Sequence, residues 1–171
     1  GVSVNQQEAY RLKVTSGQVT INAVTEHGTY NALQTLRQLA YKEGDSWYVH
    51  GCEILDWPAF RIRGFMHDTG RSYISIEELK REITILSQYK INVFHWHLTE
   101  NQAWRLESKL FPVLNDSTTM TRMPGMYYTY EDVQELIEHC RTHHVLLIPE
   151  FDMPGHSESF KRAFGHDMQT E

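Results

Sequence analysis

From Arg61 onward one pattern repeats: a short apolar run, then a longer amphipathic stretch, then another short apolar run. Few folds accept that alternation. Residues 62–67, 91–98 and 145–151 read as strands, and the stretches between them carry helical periodicity, which is the signature of parallel βαβ units with right-handed crossovers. The first helix is specified at its start by Ser75, with Glu78 three residues on and Ile74 and Leu79 in the flanking staple positions. Its stripe is Ile76, Leu79, Ile83 and Leu86, one face of a helix turned to a core. Thr129 caps the second helix, whose stripe is Val133, Leu136, Ile137 and Cys140. Three parallel strands fit either a doubly wound sheet or the opening of a barrel. No glycine-rich loop follows the first strand, so the barrel is favoured over a nucleotide-binding sheet.

The N-terminal third is different. Residues 10–14 and 18–24 read as a hairpin turned at Ser16 and Gly17. Tyr30, Leu33, Leu36 and Ala40 recur at helical spacing, Gly44 and Asp45 close that segment, and 47–49 follows as a strand. Together they predict a small α+β unit. Asp56-Trp57-Pro58 is a natural boundary, because proline restricts itself and its predecessor. The expected domains are therefore 1–57 and 58–171.

A formal net charge of -6 works against the counterion release that drives nucleic-acid binding, so nucleic acid is not expected as a partner. No apolar run approaches the ~18 residues of a membrane span. Cys52 and Cys140 match no zinc spacing and read as two buried thiols. Gly1 in place of a methionine leads to the expectation of a processed boundary.

Strand side chains alternate, so Val93, His95 and His97 share one face, as do Gly64, Met66 and Asp68, and Leu146, Ile148, Glu150 and Asp152. Each strand thus brings a titratable group to its C-terminal end, where barrel enzymes assemble their sites. Arg71, Glu100, Asn101 and His156 follow just beyond those ends. Each has a plainer reading. His95 and His97 fit core histidines or a metal-binding pair, Asp68 and Asp152 fit acceptors for backbone amides, and Arg71 fits a surface ion pair. Trp104, Tyr127 and Tyr128 fit packing residues, and His143 and His144 structural ones.

Three stretches resemble glycoside hydrolase family 20, the β-N-acetylhexosaminidases: Arg63-Gly-Phe-Met-His-Asp-Thr-Gly-Arg71, Asn92-Val-Phe-His-Trp-His-Leu-Thr-Glu-Asn-Gln-Ala-Trp-Arg-Leu-Glu107, and Ile148-Pro-Glu-Phe-Asp-Met-Pro-Gly-His-Ser157. Residues 8–39, with Tyr30-Asn-Ala-Leu-Gln-Thr-Leu36, resemble the end of the accessory domain that precedes the family's barrel. The resemblance implies an α/β chain: the first three parallel strands of a (β/α)8 TIM barrel, preceded by part of a small α+β accessory domain. It implies that Arg71 and Glu100 contact the terminal N-acetylhexosamine of a carbohydrate substrate and that His97, Asp152 and His156 support the site. Family members usually carry two aspartates where this chain has Glu100 and Asn101, so one carboxylate moves out by a methylene and the second charge is lost.

The implied reaction is retaining hydrolysis in which the substrate's 2-acetamido carbonyl attacks the anomeric carbon, with no metal or organic cofactor. The family's Asp-Glu pair, acid and orienter, follows a fourth strand, and neither Asp167 nor Glu171 substitutes for it. The expectation is a piece without activity of its own, prone to self-association through an unpaired barrel edge. The resemblance also implies a periplasmic, secreted or lysosomal-type compartment. Two other readings stay open: a non-catalytic carbohydrate-binding piece, and a metal-dependent barrel hydrolase using His95 and His97.

Overall fold

The computed structural model describes residues 4–165; Asp167, Glu171 and the polar stretch beyond Gly165 lie outside the described residues. Two compact units emerge, Gly1–Arg63 with Leu86–Ile91, and Gly64–Ile85 with Asn92–Glu171.

In the first unit β1 (Tyr10–Val14) lies between β2 (Val19–Ala23) and β5 (Cys52–Asp56), antiparallel to both. The alternation in Tyr10-Arg-Leu-Lys-Val14 explains the placement: Tyr10, Leu12 and Val14 are buried while Arg11 and Lys13 face out. Helix α1 (Glu26–Leu39) is capped by the Thr25 hydroxyl, which accepts the Gly28 N–H, and Ala32 joins the β1 core. Its buried residues are Gly28, Asn31 and Ala32, whereas Leu33 is exposed. The reason is close approach: a Cβ at Gly28 would stand 2.7 Å from the Ala9 carbonyl oxygen.

Two expectations need correction here. Gly44 and Asp45 do not close the helix, which ends at Leu39; they turn a hairpin of β3 (Tyr41–Glu43) and β4 (Ser46–Tyr48), with Gly44 at φ 61°. Strand β5 adds a third strand to the expected hairpin, and its outward Leu55 spoils the alternation that would have marked it. Lys90 occupies a left-handed position, φ 62°, where glycine is the usual choice. Its side chain explains the exception: the ammonium lies 2.8 Å from an Asp56 carboxylate oxygen and 2.9 Å from the Tyr10 hydroxyl, while its carbonyl accepts from Arg63 Nε.

The second unit holds a parallel sheet in the order β6 (Gly64–Asp68), β7 (Val93–His97), β8 (Leu146–Glu150). Each strand is shorter than its apolar run, because the flanking residues enter the connecting loops. Helix α2 (Ile76–Gln88) begins in a reciprocal cap, the Glu78 N–H donating to Ser75 Oγ and the Ser75 N–H to the Glu78 carboxylate. Ile76, Leu79 and Ile83 are buried as the stripe requires. Helix α3 (Tyr130–Thr142) starts in a full capping box of Thr129 and Asp132. Only Leu136 and Cys140 of its stripe are buried; Val133 and Ile137 line an open apolar groove of about 500 Å³ with Leu147, Pro149 and Phe151. Cys140 is a buried free thiol, but Cys52 is only half-buried, contrary to expectation, because β5 is an edge strand. Helix α4 (Glu158–Phe164), too short to show a period in the sequence, follows β8.

The long excursion between β7 and α3 is organised by one buried cation. Arg105 is fully buried and donates to the carbonyls of Thr69, Arg122, Met123 and Met126. Burial pushes its pKa down, and no carboxylate pairs with it among the described residues. Backbone oxygens spread over the loop replace the counterion.

Candidate active site

The strand register sets Asp68 beside His97 and His97 beside Glu150, so the last residues of three strands form one row. Parity alone places them on a common face. The loops then fold over that row. Asp68 accepts the Arg71 backbone N–H at 2.9 Å and pairs with its guanidinium, so both plain readings, amide acceptor and ion pair, hold for these two residues. The Thr69 and Gly70 N–H groups both donate to the His97 carbonyl, at 3.0 and 3.1 Å. This pins the β6 exit loop against β7. Gly70 permits the contact: a Cβ there would meet the Glu100 Cβ at 2.7 Å.

Glu100 is the centre of the cluster. Its carboxylate is 2% exposed and lies 2.5 Å from His156 Nδ1, 3.4 Å from Arg71 Nη2 and 3.6 Å from His97 Nε2. Burial works against its ionisation, but the His156 ring, the Asn101 backbone N–H and Arg71 outweigh it and hold the pKa below the usual carboxylate value. The same contact, with Asp152 adding to it, raises His156 above the ordinary histidine value. On the other side, Glu150 faces two rings: one oxygen is 2.9 Å from His97 Nδ1, and the other pairs with His95 Nε2. Here too burial opposes ionisation, and His97 and His95 overcome it, lowering the Glu150 pKa. The His97 nitrogens are close to carboxylates without being aligned for hydrogen bonds. Asp152 enters through its backbone, which donates to the Thr99 hydroxyl at 2.9 Å, and its carboxylate lies within 4.8 Å of ligand atoms of His97 and Glu150.

Arg71, His97, Glu100, Asp152 and His156 therefore stand in one cluster. Asn101 serves the backbone instead, since its side-chain oxygen accepts the Glu158 N–H at the start of α4, which needs an acceptor and no charge. Sequence reasoning missed Glu150 as the acceptor shared by two histidines, although its parity with Asp152 was the available signal. Gly70 and Arg105 carried no signal, since both act through contacts distant in sequence. Tyr128 is a packing residue, fully buried, stacked on Tyr73 at 4.7 Å and edge-on to Trp96. Trp104 stands 5.6 Å from Phe151, and Tyr127 is half-buried. His143 caps the end of α3 and His144 follows at φ 55°.

Residues 60–170 match the profile described as glycosyl hydrolase family 20, catalytic domain, and residues 2–57 that of glycosyl hydrolase family 20, domain 2. A beta-hexosaminidase of Porphyromonas gingivalis is 39% identical, over 93% of this chain and 22% of its own length. Among solved structures, the Flavobacterium johnsoniae chitobiase superposes with a TM-score of 0.86 at 35% identity, over 92% of this chain and 24% of that one. The exo beta-N-acetylglucosaminidase of Vibrio harveyi, solved with N-acetylglucosamine, gives 0.86 at 34%, over 94% of this chain and 28% of its own. The chain thus spans about a quarter of the length of these relatives, and its parallel sheet is the corresponding part of a (β/α)8 barrel preceded by an α+β unit. On sequence and on fold alike, the chain belongs to glycosyl hydrolase family 20.

Proposed function

We infer that the protein containing this chain is an exo-acting β-N-acetylhexosaminidase that removes terminal non-reducing β-linked N-acetylglucosamine or N-acetylgalactosamine. One observation carries the reading: Arg71, His97, Glu100, Asp152 and His156 converge beyond three successive parallel strands in a chain of this family. Residues 1–57 are the end of the accessory domain and 58–171 the start of the catalytic barrel, in keeping with the two matched profiles. Arg71 is half-exposed yet oriented by Asp68 and Glu100, which suits a planar donor that grips sugar hydroxyls. Glu100 meets the sugar beside it. His97, Asp152 and His156 supply hydrogen bonds and charge around the position into which a general acid projects.

Chemistry follows the substrate-assisted route: the acetamido oxygen attacks the anomeric carbon, the glycosidic oxygen leaves with a proton from the acid, and water opens the intermediate with retention. Holding the nucleophile on the substrate supplies a high effective molarity. The family's Asp-Glu pair belongs to a fourth strand and the described residues carry three of the barrel's strands, so the 171-residue chain alone is expected to be inactive. Exposed Phe65, Met66, Leu146 and Ile148 on the outer strands β6 and β8 favour its self-association, which light scattering checks.

The test is hydrolysis of an aryl β-N-acetylglucosaminide by the full-length protein. Arg71→Ala should lower kcat/KM about 10- to 100-fold, the loss of a charged hydrogen bond. Sugar binding without product would favour a non-catalytic carbohydrate-binding role instead. A metal-dependent reading has one observation in its favour, the proximity of His97, Glu150 and Asp152. Turnover that a chelator abolishes and zinc restores would select it.

A further inference from the structure

His139 and His143 lie outside the site and are spaced i, i+4 on α3 and its C-cap, so both rings project from one side of the helix. The rings stack with centroids 4.1 Å apart and planes 27° apart. Both Nε2 atoms point to the same place. Thr84 Oγ1, on α2, is 2.9 Å from His139 Nε2 and 3.3 Å from His143 Nε2; the Lys80 carbonyl oxygen is 2.9 Å from both Thr84 Oγ1 and His139 Nε2.

We propose that His139 Nε2 and His143 Nε2, completed by Thr84 Oγ1 and the Lys80 carbonyl, bind a divalent transition-metal ion of the zinc and copper class at the seam of α2 and α3. Four of the separations among these atoms, 2.9, 2.9, 2.9 and 3.3 Å, are compatible with a coordination shell. For metal–nitrogen bonds of ~2.0–2.1 Å, neighbouring ligands stand ~2.9 Å apart in octahedral and ~3.3 Å apart in tetrahedral geometry. Without an ion, hydrogen-bonding protons hold the same four atoms together. His143 is already primed, because its Nδ1 donates to the His139 carbonyl at 2.8 Å, the outer bond that orients an imidazole ligand and leaves Nε2 its lone pair. His139 needs only to place its proton on Nδ1.

The surrounding charges are compatible with a cation. The Lys80 ammonium is held by Glu77 and Glu135, and Arg141 is paired with Glu138. Imidazole nitrogens select zinc, copper or nickel over calcium and magnesium, which demand oxygen ligands. An ion here would staple two helices, and it plays no part in the proposed hydrolysis.

Copper(II) titrated into the protein should give an electron paramagnetic resonance spectrum with two equatorial nitrogens, and zinc should bind at one equivalent by calorimetry. His139→Gln should weaken zinc on the order of 100-fold, because one of the two imidazole ligands is lost. On the unaltered protein, sub-stoichiometric copper should broaden the amide resonances of Thr84, His139 and His143 first, a readout independent of whether variants fold. Undiminished binding in His139→Gln/His143→Gln, broadening centred on His97 and Glu150, or no saturable binding at all would each overturn the assignment.

Discussion

The histidines beyond the C-terminal ends of the parallel strands and those on the α2–α3 seam live in opposite surroundings. His156 faces the carboxylate of Glu100, and its pKa rises. His139 faces a hydroxyl, a carbonyl and a second imidazole; burial first and His143 second push its pKa down. Residue type is the same in both places; a carboxylate partner raises the pKa of one ring, and burial above all lowers that of the other. The strand ends hold an ionic network around a half-exposed arginine; the seam sets two stacked imidazoles against a hydroxyl and a backbone carbonyl. Substitutions at each should therefore leave the other untouched.

The largest effect should come from removing the cation that anchors the ionic end. Arg105→Met leaves the Thr69, Arg122 and Met126 carbonyls without the guanidinium donor, the Met123 carbonyl keeping the Met126 N–H, and should lower stability by about 3 kcal/mol or more at ~1–3 kcal/mol per unsatisfied group. The midpoint of urea unfolding reads this directly. Gly70→Ala drives a methyl against the Glu100 Cβ and should cost about 1–3 kcal/mol as overpacking. A parallel chemical-shift map should show His156 disturbed and His139 unmoved, and a change of equal size at both would erase the contrast between them.

Thr84→Val, at the seam, removes one shared hydroxyl and should lower stability by about 1 kcal/mol in the same urea assay. The smallest expected change is a titration. His156 contributes stability that is fully present below the ordinary histidine pKa and is lost as pH rises through its raised value; Glu100 contributes stability present above the ordinary carboxylate pKa and lost as pH falls through its lowered one. Their ion pair therefore persists between those two limits. Glu100→Gln should bring the His156 midpoint, followed by proton NMR, back towards the ordinary value, and an unmoved midpoint would assign the shift to something other than Glu100.

Much of the second unit is legible in the residues themselves. Ser75 with Glu78 and Thr129 with Asp132 are local devices, in which a side chain caps a backbone group three residues away, so they read directly from spacing. The side-chain parity that lines up Asp68, His97 and Glu150 is likewise written in the strands. The hairpin of β3 and β4 escapes such a reading because Gly44 and Asp45 serve a helix end and a tight turn equally well. Strand β5 escapes it because a short edge strand with an exposed leucine has no clear period.

By sequence alone this chain was bound to form capped helices, alternating strands and a shared polar face, because each depends on atoms within a few residues of one another. Only the tertiary structure decided that Glu100 is buried among Arg71, His97 and His156, that Gly70 must lack a side chain, and that Arg105 is caged by carbonyls. Those outcomes depend on which loops meet, and Coulomb and steric energies follow distances through space that no spacing along the chain encodes.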